Sequence, residues 1–127
     1  MPITVLIVDD SKLARIVAGK SLSALQPDWQ RVEAADADQA LSIVKRQQID
    51  LALLDYNMPG RNGLELAAEL RALHVDMPIA IITANIQDEV LEGARAVDGT
   101  LVSKPITEDG LRDFVSGAAL RLRGTVP

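Results

Sequence analysis

Four short apolar runs punctuate the chain, at residues 3–8, 51–54, 79–82 and 101–102. Each is too short for a typical helix, and three of the four carry Ile or Val. None alternates between apolar and polar positions, the habit of strands covered on both faces of a parallel sheet. A weaker strand candidate at residues 31–35 lies between the first two. Helical spacing fills the gaps: Ala40, Leu41 and Val44; Ile86, Val90, Ala94 and Val97; Leu111, Phe114, Val115, Ala118 and Leu122. Start signals agree with it. Asn62 stands three residues before Glu65, as in a capping box, and Thr107 precedes the acidic pair Glu108 and Asp109. The predicted order is β1 3–8, α1 11–25, β2 31–35, α2 37–48, β3 50–54, α3 62–73, β4 78–83, α4 86–95, β5 99–103 and α5 107–122. Strand followed by helix, five times over, predicts a doubly wound α/β fold with a five-stranded parallel sheet and helices on both faces.

The length of 127 residues fits one domain, taken as residues 1–127 with a core at 3–122 and a frayed end at 124–127. Cysteine is absent, so disulfides, thiol nucleophiles and Cys-ligated metals are excluded. The single histidine, His74, excludes His-rich metal sites and is expected to be an exposed structural residue after α3. A net charge of −5 and only three aromatic residues disfavour sequence-independent nucleic-acid binding. No apolar run has the length of a membrane span and no signal-peptide pattern opens the chain. The expectation is a soluble cytoplasmic domain that contacts neither nucleic acid nor membrane. Trp29 is expected to pack near the start of β2.

Ligands of doubly wound folds sit outside the carboxyl ends of the strands, near the topological switch point. Asp9 and Asp10 follow β1, Asp55 follows β3, Thr83 ends β4, and Lys104 follows β5. Singly, each has an ordinary explanation: a helix cap, a β-branched strand residue, a solvated charge. Together they put three carboxylates, a hydroxyl and an ammonium on one edge of one sheet. Two carboxylates about 5 Å apart repel by about 3 kcal/mol at an effective dielectric near 20. Three such groups call for a cation or a proton, and oxygen-only ligands suit a hard ion such as Mg²⁺. Lys104 adds a second positive charge and Thr83 a donor. Such a pocket neutralises a phosphoryl group, and one of its carboxylates is a candidate nucleophile.

The segments Ile7-Val8-Asp9-Asp10-Ser11, Leu53-Leu54-Asp55-Tyr56-Asn57-Met58-Pro59-Gly60, Ile82-Thr83-Ala84 and Ser103-Lys104-Pro105 resemble the receiver domain of bacterial two-component response regulators, CheY-like in size, over residues 3–122. The resemblance implies a flavodoxin-like (βα)5 sheet of order 2-1-3-4-5. It implies that Asp55 accepts a phosphoryl group from a phosphohistidine donor. It implies Mg²⁺ held by Asp10, Asp55 and the backbone carbonyl of Asn57, with Asp9 acting mostly through water. Lys104, Thr83 and Ala84 would meet the phosphoryl oxygens, and a cis bond before Pro105 would aim the lysine. Asn57 and Asn85 take the places that tune phosphoryl lifetime. Leu101 stands where the family usually carries Tyr or Phe, so coupling is expected to run through the loop 84–88 rather than through an aromatic flip.

The expectation is a stand-alone phosphorylation switch rather than an enzyme in the ordinary sense, a monomer or weak dimer. Its partners would be a sensor histidine kinase or phosphotransfer protein and a downstream target met through residues 86–122. Competing readings are a flavodoxin-like redox protein, which the acidic loop after β1 argues against, a phosphohydrolase using Asp9, and a degenerate receiver serving as scaffold.

Overall fold

The computed structural model describes residues 3–124, with side chains placed as far as Leu122. The expected end at 124–127 lies almost wholly outside the described residues. Five strands form one parallel sheet in the order β2-β1-β3-β4-β5. The strands are β1 Thr4–Val8, β2 Gln30–Ala34, β3 Leu51–Asp55, β4 Ile79–Thr83 and β5 Thr100–Ser103. Alternating with them are α1 Lys12–Leu25, α2 Ala37–Arg46, α3 Gly63–Leu73, α4 Asp88–Ala96 and α5 Glu108–Gly124.

The absence of alternation in the strand runs has a direct cause. Leu6, Val8, Ala52, Leu54, Ile79 and Ile81 pack on one face with α2, α3 and α4. Val5, Ile7, Leu51, Leu53, Ala80 and Ile82 pack on the other with α1 and α5. Both faces are covered, so both parities are apolar. Trp29 joins the second group near the start of β2, as expected.

The helix starts follow their caps. Ser11 accepts a bond from the Ala14 N–H, Asp36 from the Gln39 N–H, and Asn62 and Glu65 form the reciprocal capping box. Several boundaries differ from the sequence expectation by one or two residues; α5 runs on to Gly124 rather than residue 122. α2 ends at Arg46 rather than residue 48, and α4 begins at Asp88 rather than residue 86. Ile86 is therefore outside the helix and half exposed, so its apolar spacing with Val90 does not mark a helix face. β2 is shifted back to Gln30–Ala34; as an edge strand with mostly exposed side chains it carries a weak pattern. β3 runs on through Asp55, so the acidic residue is the last of the strand rather than the first of the loop.

Arg71 fastens the opposite end of the sheet. Its guanidinium donates to five backbone carbonyls: Val97 at 2.9 Å, Asp98 at 3.1 Å, Met77 at 2.7 Å, Val75 at 2.8 Å and His74 at 3.4 Å. One side chain thus joins the end of α3, the approach to β4 and the α4–β5 turn, where Asp98 takes a positive φ of 53°. Bonds from a charged donor are worth more than neutral ones, and several converge here. Arg71→Ala is expected to lower stability by about 2–3 kcal/mol in a urea titration. A loss below about 0.5 kcal/mol, the range of an ordinary surface substitution, would contradict this role.

Candidate functional site

The chain leaves β1 toward β2 on one side and returns through β3 on the other, so β1 and β3 flank the switch point. Asp9 stands at the end of β1 and Asp55 at the end of β3. Both are buried, while Asp10 is exposed. An oxygen from each of the three carboxylates lies within 4.8 Å of the other two. The Lys104 Nζ is 2.8 Å from Asp55 Oδ1 and 3.6 Å from Asp9 Oδ2. It is delivered by the end of β5, where its own N–H donates to the Thr83 carbonyl at 2.8 Å. The following Lys104–Pro105 peptide bond is cis.

The electrostatics reflect this packing. Burial pushes the Asp55 carboxyl up, the hydrogen bond from Lys104 pulls it back, and Asp9 adds repulsion; the net position is above the ordinary carboxylate value. For Lys104, burial pulls the ammonium down, but the hydrogen bond and charge of Asp55, followed by Asp9, leave it above its ordinary value. One lysine therefore compensates three carboxylates only in part. The donor set is all oxygen and has an exposed member opening to solvent, which fits a hard divalent cation.

Thr83 is buried, and its hydroxyl exchanges hydrogen bonds with the backbone of Asn85, accepting from the N–H and donating to the carbonyl, both at 3.2 Å. Ala84 and Asn85 are exposed just beyond β4, and Asn57 is exposed two residues after Asp55. Leu101 is not part of the acidic cluster; it is half-buried in β5 against the α2–α3–α4 side of the core. His74 is exposed at the C-terminal cap of α3, as expected.

Two contributors to the site carry no signal in the sequence alone. The Asn62-Gly63 pair has the composition of a turn, and Gly60, with φ of 77°, does serve one. Gly63 has a different duty. A Cβ on it would lie 2.4 Å from the Asp55 carbonyl oxygen, while its N–H donates to the Tyr56 carbonyl at 3.0 Å. The first turn of α3 is thereby seated directly on the backbone of the β3 terminus. The second contributor is Arg15, whose Nη1 donates to the Asp9 carbonyl at 2.6 Å. No local motif announces either residue, since each acts on backbone beyond its own turn of helix.

Gly63 gives a clean comparison with Gly117, where an added Cβ meets nothing within 4 Å. Gly63→Ala is expected to lower stability by about 1–3 kcal/mol, because the obstructing atoms are backbone. Gly117→Ala, in the exposed middle of α5, is expected to raise it by about 0.5–1 kcal/mol through helix propensity. Chemical denaturation of the two variants reads the contrast. Equal effects would remove the close approach at Gly63 as its cause.

Comparison with known proteins agrees with this geometry. A family model described as the response regulator receiver domain matches residues 5–116, and the chain belongs to that family. It is a CheY-like receiver of two-component signalling by sequence and by fold. Among curated relatives, the cyclic di-GMP phosphodiesterase response regulator RpfG of Xanthomonas campestris pv. campestris is 37% identical over 114 residues, spanning 87% of this chain and 30% of that protein. The chain thus spans less than a third of that relative's length. Among solved structures, the chemotaxis protein CheY4 of Vibrio cholerae superposes with a TM-score of 0.84 at 26% identity, covering 93% of this chain and 99% of that one. The response regulator TrrA of Thermotoga maritima, solved in complex with Mg²⁺ and a beryllium fluoride, gives a TM-score of 0.80 at 28% identity over 91% and 98% of the two chains. Among the described residues no helix is long and apolar enough to cross a membrane.

Proposed function

We propose that this receiver takes a phosphoryl group onto Asp55 from a phosphohistidine of a sensor kinase or phosphotransfer protein, and that the modification biases the face formed by residues 86–122 toward a partner. The observation that carries the reading is the cluster of Asp9, Asp10 and Asp55 at the switch point with Lys104 against its buried members. In the transfer, an Asp55 carboxylate oxygen forms the new O–P bond as the donor's N–P bond breaks. The imidazole nitrogen keeps that electron pair. Asp10, Asp55 and the Asn57 carbonyl would hold Mg²⁺, with Asp9 behind them through water; the ion supplies positive charge for the crowded carboxylates and the incoming phosphoryl oxygens. Lys104 exchanges part of its pairing with Asp55 for the phosphoryl group. Thr83 exchanges the Asn85 backbone for a phosphoryl oxygen, a stronger acceptor. The donor's approach is suited by a cleft of about 390 Å³ beside Lys104, walled by Leu13, Val17, Ala84, Pro105 and Ile106.

Acetyl phosphate provides the test. With Mg²⁺, intact mass is expected to show one added phosphoryl group; with EDTA it is expected to show none. Full modification in EDTA would overturn the reading.

The switch is proposed to run from Thr83 into the loop before α4. Leu101 has no hydroxyl and packs in the core, so it has no hydrogen bond to trade between two states. Phosphorylation is expected to move the amide NMR resonances of residues 84–88. Leu101→Ala should keep most of that response, whereas Thr83→Ala should lose most of it while Asp55 is still modified. The opposite ranking would place the coupling at β5.

A further inference from the structure

We propose that Arg15 is a positioning residue for the acidic cluster, acting through the peptide that joins Asp9 to Asp10. The proposal deepens the reading of the site as a Mg²⁺-assisted phosphoacceptor and rests on it.

The turn between β1 and α1 carries two of the three carboxylates. Asp9 is fixed several times over. Its N–H donates to the Ala34 carbonyl at 3.1 Å, its Oδ1 accepts from the Ser11 N–H at 2.9 Å, and its Oδ2 faces Lys104. Among the described residues the exposed Asp10 carboxylate has no hydrogen-bond partner. Its position is therefore set by the backbone that presents it. That backbone is the Asp9–Asp10 peptide, a rigid plane whose carbonyl belongs to Asp9 and whose N–H belongs to Asp10.

Arg15 holds that plane. Its Nη1 donates to the Asp9 carbonyl at 2.6 Å, and its Nε donates to Glu33 Oε1 at 2.8 Å. Glu33 lies on β2 in register with Ile7 of β1, two residues before Asp9. The Arg15 N–H donates to the Ser11 carbonyl in the first turn of α1. The side chain is 15% exposed, so it is held by packing as well as by its bonds. One planar fork thus joins α1 and β2 to the single peptide that aims Asp10. A lysine keeps the charge but not the fixed pair of donors. Partners of this kind, one step removed from a metal ligand, typically change affinity about ten- to a hundredfold when removed.

The test is calorimetric titration of MgCl₂ into the full chain, with amide NMR spectra and thermal melts of the same samples in EDTA. Arg15→Ala is expected to weaken Mg²⁺ binding about tenfold and to shift the Asp10 amide resonance. Arg15→Lys and Glu33→Gln, which preserve most of the packing, are expected to weaken it about threefold while melting close to wild type. If Arg15→Ala does not fold, these two variants decide the matter. Wild-type protein that binds no Mg²⁺ would overturn the reading of the site and this proposal with it. Wild type that binds, with folded variants all within about twofold of it, would overturn this proposal alone.

Discussion

Asp55→Asn is expected to take up no phosphoryl group from acetyl phosphate in the presence of Mg²⁺, and yet to melt at or above wild type in EDTA. The two halves have one cause. In the proposed function the buried carboxylate is the nucleophile, and an amide at that place has no anionic oxygen to attack phosphorus. The same carboxylate is a burden to the apo fold, because its pKa stands above the ordinary 3.8 despite Lys104. The native state then binds protons more readily than the unfolded chain between that ordinary value and the raised one. Stability therefore falls as pH rises through that window, and above it the cost is fully present. Asparagine removes the charge at nearly constant shape. Calorimetric melts in EDTA at neutral pH, paired with intact mass after acetyl phosphate, read both halves. A phosphorylated Asp55→Asn protein, or one that melts well below wild type without metal, would contradict the account.

Lys104→Met is expected to have the opposite effect on stability and a similarly severe effect on phosphorylation. Lys104 is the cation seated against buried Asp55 and Asp9. Its loss leaves the carboxylates uncompensated and pushes Asp55 further up. The lysine is about one-third exposed, so the cost at neutral pH without metal is set at about 2 kcal/mol, below that of breaking a fully buried pair. Because the Lys104 pKa is raised, its stabilising contribution is complete below the ordinary ammonium value and is lost only as pH rises through the native value. The deficit of the variant should therefore be present at neutral pH and shrink on acidification, as the Asp55 carboxyl, held above its ordinary value, takes up a proton. Phosphorylation should slow by about a hundredfold or more, the scale of removing a group aimed at developing negative charge. Urea titrations across pH and a time course of phosphoryl uptake provide the readouts. A deficit independent of pH would place the lysine's role in packing rather than charge.

Much of this arrangement is legible in the chain because it is local or periodic. The unbroken apolar strands report a sheet covered on both sides, and the side chains of Asn62 and Thr107 report helix starts by bonding N–H groups three residues on. The residues at the strand ends follow from strand order, since every parallel strand delivers its last residue to the same edge. What the sequence conceals depends on approaches between distant segments. Arg71 reads as a solvated helix charge until the carbonyls of residues 75–77 and 97–98 are brought around it. Gly63 reads as a turn glycine until α3 is laid against the Asp55 backbone. Arg15 reads as surface charge until β2 supplies Glu33. The early start expected for α4 has a simpler cause. Ile86 shares the helical spacing of Val90 and Ala94, but the Gln87 side chain makes no cap bond and the helix begins only at Asp88.

The most direct measurement is the chemical trapping of the modified residue. Protein incubated with acetyl phosphate and Mg²⁺ is treated with borohydride, which reduces an aspartyl phosphate to homoserine, and the position is read by tandem mass spectrometry. Homoserine is expected at position 55 alone, and none when EDTA replaces Mg²⁺. Homoserine at position 9 or 10, or equal yield at position 55 without a divalent ion, would contradict that expectation.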